Sequence, residues 1–166
     1  SLAFALNHAI EYGMQRVIYI IPYTSIIEQN AEVFRRVCGE DAVLEHHCNF
    51  EFTQDLYKAQ LAAENWDAPV VVTTNVQFFE TLFHYRVSKC RKAHNIANSV
   101  IIFDEAQMLP VGLIKPCMAA MKELVRNYRS SIVLSTATQP ALNFSDEFKS
   151  GFKEIKEIVE DPVELY

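Results

Sequence analysis

The chain has 166 residues, of which 50% are hydrophobic, and its formal net charge is −6. This length and apolar content are typical of one domain with a sizeable core, and the acidic balance argues against a generally basic nucleic-acid-binding protein. No apolar run is long enough to span a bilayer, and the first residues do not resemble a secretory signal. The four cysteines form no Cys-x-x-Cys pair, which favours reduced thiols over a disulfide framework. We therefore expect a cytoplasmic protein without membrane contact.

The predicted elements alternate between helices and strands. In chain order, hydrophobic periodicity predicts a helix at 2–12, a strand at 16–21, a helix at 25–38, a short strand at 42–44, a helix at 52–65, a strand at 70–73, a helix at 76–87, a strand at 99–103, a helix at 113–128 and a strand at 131–135. Gly13 and Gly39 follow the first two helices as C-terminal stops. The alternation predicts an α/β fold with a parallel sheet and helices on both faces.

An acidic pair, Asp104 and Glu105, directly follows the apolar strand at 99–103. In an open parallel sheet, nucleotides bind at the edge formed by the carboxyl ends of the strands. One carboxylate there can hold magnesium through its water shell, and a second can polarise an attacking water. Asp104 fits the first role and Glu105 the second. Because short motifs also arise by chance, an exposed strand end without function is the alternative.

Three other predicted strands also end in polar residues. The strand at 131–135 leads into Thr136 and Thr138, whose hydroxyls can hydrogen-bond the acidic motif and report the state of the nucleotide. The other two lead into hydroxyl and amide groups that suit contacts to phosphate and sugar oxygens: Thr24, Ser25, Thr73, Thr74, Asn75 and Gln77. For any one threonine, a helix cap or turn is an adequate explanation. The regular placement on four strands favours function.

Four segments taken together resemble a superfamily 2 helicase: Pro22–Asn30, Thr73–Gln77, Asp104–Gln107 and Thr136–Thr138. More narrowly, they resemble the first RecA-like lobe of the CRISPR-associated helicase–nuclease of type I systems. The resemblance covers roughly residues 2–142, and the motifs occur in the family's order. It implies a RecA-like (P-loop NTPase) fold built as a three-layer sandwich. Residues 1–142 would be a partial first lobe lacking the P-loop, and residues 143–166 an acidic tail leading toward a missing second lobe.

The resemblance also implies two cofactors, ATP and magnesium, and a role for each motif. Asp104 would coordinate magnesium, and Glu105 would orient and deprotonate water at the γ-phosphate. Gln107, where many relatives have His or Asp, would link the nucleotide to the surface that grips the DNA strand. Thr136 and Thr138 would couple hydrolysis to movement, although relatives usually have Ser in place of Thr136. A further set would line the track for the single strand: Pro22, Thr24, Ser25, Thr73, Thr74, Asn75 and Gln77.

The chain contains no glycine-rich loop ending in Gly-Lys-Ser/Thr, whose amides and lysine would cradle the phosphates. An arginine finger would come from the second lobe, so we expect the isolated chain to be inactive. The resemblance implies a 3′-to-5′ translocase on single-stranded DNA, recruited by a guide-RNA surveillance complex for antiviral defence. Cutting would be done by an HD nuclease domain outside this chain. Two alternatives remain: a non-catalytic nucleic-acid or protein binding module derived from a helicase lobe, and another superfamily 2 ATPase, such as an RNA helicase or a restriction-type translocase.

Two further clusters favour structural over functional interpretations. The sequence His46-His47-Cys48 has histidine and cysteine ligands, but the chain has no His-Asp step of the kind that an HD nuclease needs. We interpret it as a loop or strand end within the lobe. The basic cluster of Arg86, Lys89, Arg91 and Lys92 is interpreted as a solvated loop rather than a nucleic-acid contact.

Overall fold

A computed structural model describes residues 1–47, 65–86 and 90–136, together with residues 142, 144, 148–153 and 155–158. Within these residues, five strands form one sheet: β1 (Arg16–Ile21), β2 (Val43–His46), β3 (Val70–Thr74), β4 (Ser99–Phe103) and β5 (Ser131–Leu134). Their order across the sheet is β2-β3-β1-β4-β5, and every neighbouring pair is parallel. The predicted parallel α/β sheet is therefore confirmed.

Helices cover both faces of this sheet. One face carries α1 (Leu2–Tyr12) and α2 (Ile27–Cys38), and the other carries α3 (Asn75–Phe83) and α4 (Ile114–Asn127). Every residue of β1, β3 and β4 is buried, because a parallel sheet covered on both faces leaves no solvated side. The edge strand β5 is only half-buried. This arrangement confirms the predicted three-layer sandwich.

Side-chain alternation along the strands divides the core into two layers. Successive residues of a strand face opposite sides of the sheet, so Tyr19 and Ile102 pack beneath α1 and α2. Ile20 and Phe103, the next residues, pack on the side of α3 and α4. In the register of β1 and β4, Tyr19 lies beside Ile102. The residue that follows Phe103 therefore returns to the side of α1 and α2.

The element bounds agree with the sequence where local signals are strong. Helix α1 has its predicted bounds, and Gly13 ends it in the left-handed conformation, with φ 63° and ψ 34°. Helix α2 begins at Ile27 rather than at residue 25, because Thr24–Ile26 form a 3-10 turn. Helix α3 ends at Phe83, four residues earlier than predicted, because the next residue is extended. The predicted helix at 52–65 falls almost entirely outside the described residues.

Lys92 departs from its predicted environment. Its side chain is buried, with Nζ 3.3 Å from Nε2 of His46 and 5.6 Å from the centre of the Trp66 ring. An aromatic face attracts a cation at this distance. The interpretation of a solvated loop is therefore wrong for Lys92, and Lys89 lies outside the described residues.

The packing of the lobe continues past residue 142. Leu142 is buried in the core, and its carbonyl accepts a hydrogen bond of 2.8 Å from the amide of Phe152. Lys122 of α4 donates to the carbonyl oxygens of Ser150 and Gly151 at 2.9 and 2.7 Å. Part of the expected tail is thus attached to the lobe, and its course toward a second lobe stays a prediction. No helix in the described part of the chain is long and apolar enough to cross a membrane.

Candidate active site

The acidic pair lies where β4 leaves the sheet, and backbone hydrogen bonds to both neighbouring strands fix its position. The amide of Asp104 donates to the carbonyl of Ile20 in β1 at 2.9 Å, and the amide of Ser135, beyond β5, donates to the carbonyl of Phe103 at 2.9 Å. Both acidic side chains are half-buried. The pair therefore occupies the predicted edge of the sheet on a rigid support.

Glu105 has a left-handed backbone, with φ 52° and ψ 50°. A residue other than glycine rarely adopts this conformation, which costs about 1–2 kcal/mol. The chain turns sharply at this point into a 3-10 segment, Ala106–Met108, and the amide of Met108 donates to the carbonyl of Glu105 at 2.8 Å. Three other described residues that are not glycine also have positive φ, so it is the strain together with the position at the end of β4 that points to function.

Glu105 is linked through Gln107 to the end of the neighbouring strand. The hydroxyl of Thr136 donates to Oε1 of Gln107 at 2.6 Å, and Nε2 of the same amide donates to the Glu105 carboxylate. We call this chain of hydrogen bonds the Thr136–Gln107–Glu105 relay. The predicted hydrogen bonding between a hydroxyl after β5 and the acidic motif is therefore present. Thr138, predicted to share this role, lies outside the described residues.

Asp104 belongs to a separate hydrogen-bond network that sequence reasoning missed. The hydroxyl of Tyr19 in β1 donates to Oδ2 of Asp104 at 3.2 Å and also contacts Oγ of Ser1 at 2.9 Å. Burial raises the pKa of Tyr19; the Ser1 hydrogen bond opposes this rise, and the charge of Asp104 adds to it. The hydroxyl therefore keeps its proton and remains a donor. The available signal was a tyrosine within an apolar strand, because a buried phenol requires a hydrogen-bond partner.

The residues predicted to contact single-stranded DNA lie at or just after the carboxyl ends of β1 and β3, on one side of the acidic pair. Thr73 is fully buried and donates to the carbonyl of His46 at 2.8 Å. The hydroxyl of Thr74 accepts from the amide of Gln77 at 3.1 Å and thereby caps α3. Both hydroxyls are thus engaged within the fold. The other predicted contacts are exposed or half-buried at this edge: Pro22, Thr24, Ser25, Asn75 and Gln77.

The acidic edge suits a magnesium ion. Magnesium prefers oxygen ligands and keeps several of its waters, so proteins commonly bind it through one or two carboxylates. Asp104 offers such a carboxylate, half-buried and held by a neutral donor. Residues of this chain therefore fit the ion that the acidic motif implies.

A second group of possible metal ligands lies at the end of β2, which is separated from β4 by β3 and β1. Ligand atoms of Glu28, Glu45 and His47 lie within 4.8 Å of one another. Glu45, however, is already bound to His47 at 2.9 Å and to Arg35 at 3.2 Å. These contacts are typical of a structural ion-pair network. Cys48, the remaining residue of the sequence cluster, lies outside the described residues.

The sequence profile of the DEAD/DEAH box helicase family matches residues 1–146. The chain belongs to this family. It is also 30% identical over 146 residues to the CRISPR-associated nuclease/helicase Cas3 of Haloferax volcanii, an alignment that covers 76% of this chain and 16% of that protein. With its parallel sheet, the chain is the first RecA-like lobe of a superfamily 2 helicase. Helicases of this family generally use ATP and magnesium.

Proposed function

We propose that this helicase lobe contributes the hydrolytic centre of an ATP-dependent single-stranded DNA translocase in type I CRISPR interference. The observation that carries the proposal is the Thr136–Gln107–Glu105 relay, which holds a strained glutamate at the nucleotide edge of the sheet. The similarity to Cas3 supports the choice of pathway. Asp104 would hold magnesium, which neutralises phosphate charge when bound, and Glu105 would orient a water and accept its proton.

The relay also supports a route from hydrolysis to movement. When the Glu105 carboxylate changes its hydrogen bonding, the Gln107 side chain loses one of its two partners. Its other partner is Thr136, so the change reaches the segment after β5. Thr136 and Thr138 would then pass the state of the nucleotide to the strand-gripping surface. Seven residues at the carboxyl ends of β1 and β3 would form the track for the DNA strand: Pro22, Thr24, Ser25, Thr73, Thr74, Asn75 and Gln77. We assign Thr73 and Thr74 a shaping role in this track, because their hydroxyls bond within the fold.

Several partners follow from the proposal. Catalysis would require ATP, a second RecA-like lobe and a Gly-Lys-Ser/Thr loop. The sequence of residues 1–166 contains no such loop, so we expect these residues alone not to hydrolyse ATP. The translocase would act in the cytoplasm on DNA delivered by a guide-RNA surveillance complex, with an HD nuclease domain as the cutting module. Because the chain has a net charge of −6, strand binding would depend on local hydroxyl, amide and backbone contacts rather than on a general basic surface.

In the test, single-stranded DNA and RNA of the same sequence are compared as stimulators of ATP hydrolysis. The protein used is the intact protein, meaning this lobe together with the second lobe and the Gly-Lys-Ser/Thr loop that the proposal requires. We expect DNA to stimulate at least about tenfold more than RNA, a difference of roughly 1.4 kcal/mol in the transition state. The double variant Thr24→Ala/Ser25→Ala should lower this stimulation, whereas Ser150→Ala, far along the chain, should not. Stronger stimulation by RNA would favour the RNA helicase alternative. ATP binding without hydrolysis under every condition would favour the binding module.

A further inference from the structure

Two hydrogen bonds in series connect the start of α1 to the proposed magnesium ligand. The hydroxyl of Tyr19 lies 2.9 Å from Oγ of Ser1 and 3.2 Å from Oδ2 of Asp104. A carboxylate accepts only, and a phenol has one proton to donate. The proton of Tyr19 therefore points to Asp104, and Ser1 donates to Tyr19. Ser1 is the N-cap of α1, yet its side chain makes no capping bond to the helix.

The position of Tyr19 is determined by the sheet and the helix above it. Its side chain is 5% exposed, and its ring packs edge-on against Phe34 of α2, with the centroids 5.0 Å apart. In the sheet register it lies beside Ile102, two residues before Asp104 and on the same face. The amide of Asp104 is meanwhile held by the carbonyl of Ile20 at 2.9 Å. Packing thus fixes the ring of Tyr19, and a backbone hydrogen bond fixes the main chain of Asp104.

We propose that Tyr19 is a positioning residue that orients the Asp104 carboxylate toward the magnesium ion. This inference rests on the proposed function, in which Asp104 is the magnesium ligand. A carboxylate that is free to rotate must be ordered when the ion binds, whereas a carboxylate held by a buried donor is already ordered. Phenylalanine at position 19 would keep the ring and its contact with Phe34 and would remove only the donor.

The test measures Mn²⁺ binding by electron paramagnetic resonance, with ADP present, in the intact protein. Tyr19→Phe should raise the Mn²⁺ dissociation constant on the order of tenfold, because the variant loses a group that orients a metal ligand. Asp104→Asn should abolish the tight site, and Tyr128→Phe, at an exposed tyrosine just after α4, should change nothing. Thermal unfolding of Tyr19→Phe verifies that the lobe still folds.

A second readout separates positioning from chemistry. In Tyr19→Phe, the Mg²⁺ concentration for half-maximal ATP hydrolysis should rise about tenfold, while kcat at saturating Mg²⁺ stays within about twofold of wild type. If Tyr19→Phe binds Mn²⁺ as tightly as wild type while Asp104→Asn does not, the inference is wrong and the proposed function stands. If Asp104→Asn also binds as tightly as wild type, Asp104 is not the ligand, and both are wrong.

Discussion

At the scale of single residues, the site consists of two carboxylates held by different partners. Asp104 accepts a hydrogen bond from a buried phenol, and Glu105 accepts one from an amide that a threonine fixes in turn. Two separate networks give adjacent carboxylates different surroundings, which suits a pair with different tasks. The relay to Glu105 is the part most open to a direct test.

Thr136→Val tests this relay, because valine has nearly the shape of threonine but cannot donate to Gln107. We expect a loss of about 1 kcal/mol in the free energy of unfolding, the usual value of one hydrogen bond, together with a lower stimulation of ATP hydrolysis by DNA. Thr136→Ser, which keeps the hydroxyl, should preserve both. Urea denaturation and steady-state ATP hydrolysis provide the two measurements. Equal stimulation in Thr136→Val and wild type would show that the relay does not couple the two activities.

Sequence reasoning predicted the acidic pair and its link to Thr136, because polar residues at the end of an apolar strand stand out. It did not predict Tyr19. A tyrosine among Val and Ile residues of a strand is an ordinary core residue in sequence terms, and its partner Asp104 is 85 residues away along the chain. Only the strand register brings the two together.

At the scale of elements, Thr74 shows how a strand end serves the fold. Its hydroxyl caps α3 by accepting from the amide of Gln77, and its side chain is 6% exposed. Thr74→Ala should therefore lower the free energy of unfolding by about 1 kcal/mol, the usual value of an N-cap, whereas Thr74→Ser should retain it. Urea denaturation of the 166-residue chain measures both. Unchanged stability in Thr74→Ala would remove the cap as an explanation for threonine at this position.

Helix bounds could be predicted where the chain itself supplies the stop. Gly13 ends α1 as expected because glycine adopts the left-handed conformation without strain. Helix α3 has no such signal: the apolar pattern continues toward Val87, but the structure stops the helix at Phe83. There the imidazole of His84 accepts a hydrogen bond from the amide of Arg86, and the backbone carbonyl of His84 accepts one from the thiol of Cys90. These are polar contacts between residues close in the chain, which a pattern of apolar residues does not encode.

At the scale of the whole molecule, the parallel sheet converts four separate sequence motifs into one surface. The strands β3, β1, β4 and β5 are neighbours in that order, and their carboxyl ends lie at the same edge. The proposed strand track therefore borders the acidic pair on one side, and the relay from Thr136 borders it on the other. This arrangement would let one lobe bind a nucleotide and contact a DNA strand at adjacent sites.

The most direct test of this account compares ATP binding and ATP hydrolysis in the intact protein carrying Glu105→Gln. Glutamine keeps the size of the side chain but cannot take a proton from water. We expect ATP binding close to that of wild type and DNA-stimulated hydrolysis slower by about 10²–10⁴-fold, the usual contribution of a general base. Glu123→Gln, on the exposed face of α4, is the matched control and should hydrolyse ATP normally. Hydrolysis at the wild-type rate in Glu105→Gln would contradict the assignment of the hydrolytic centre to the end of β4.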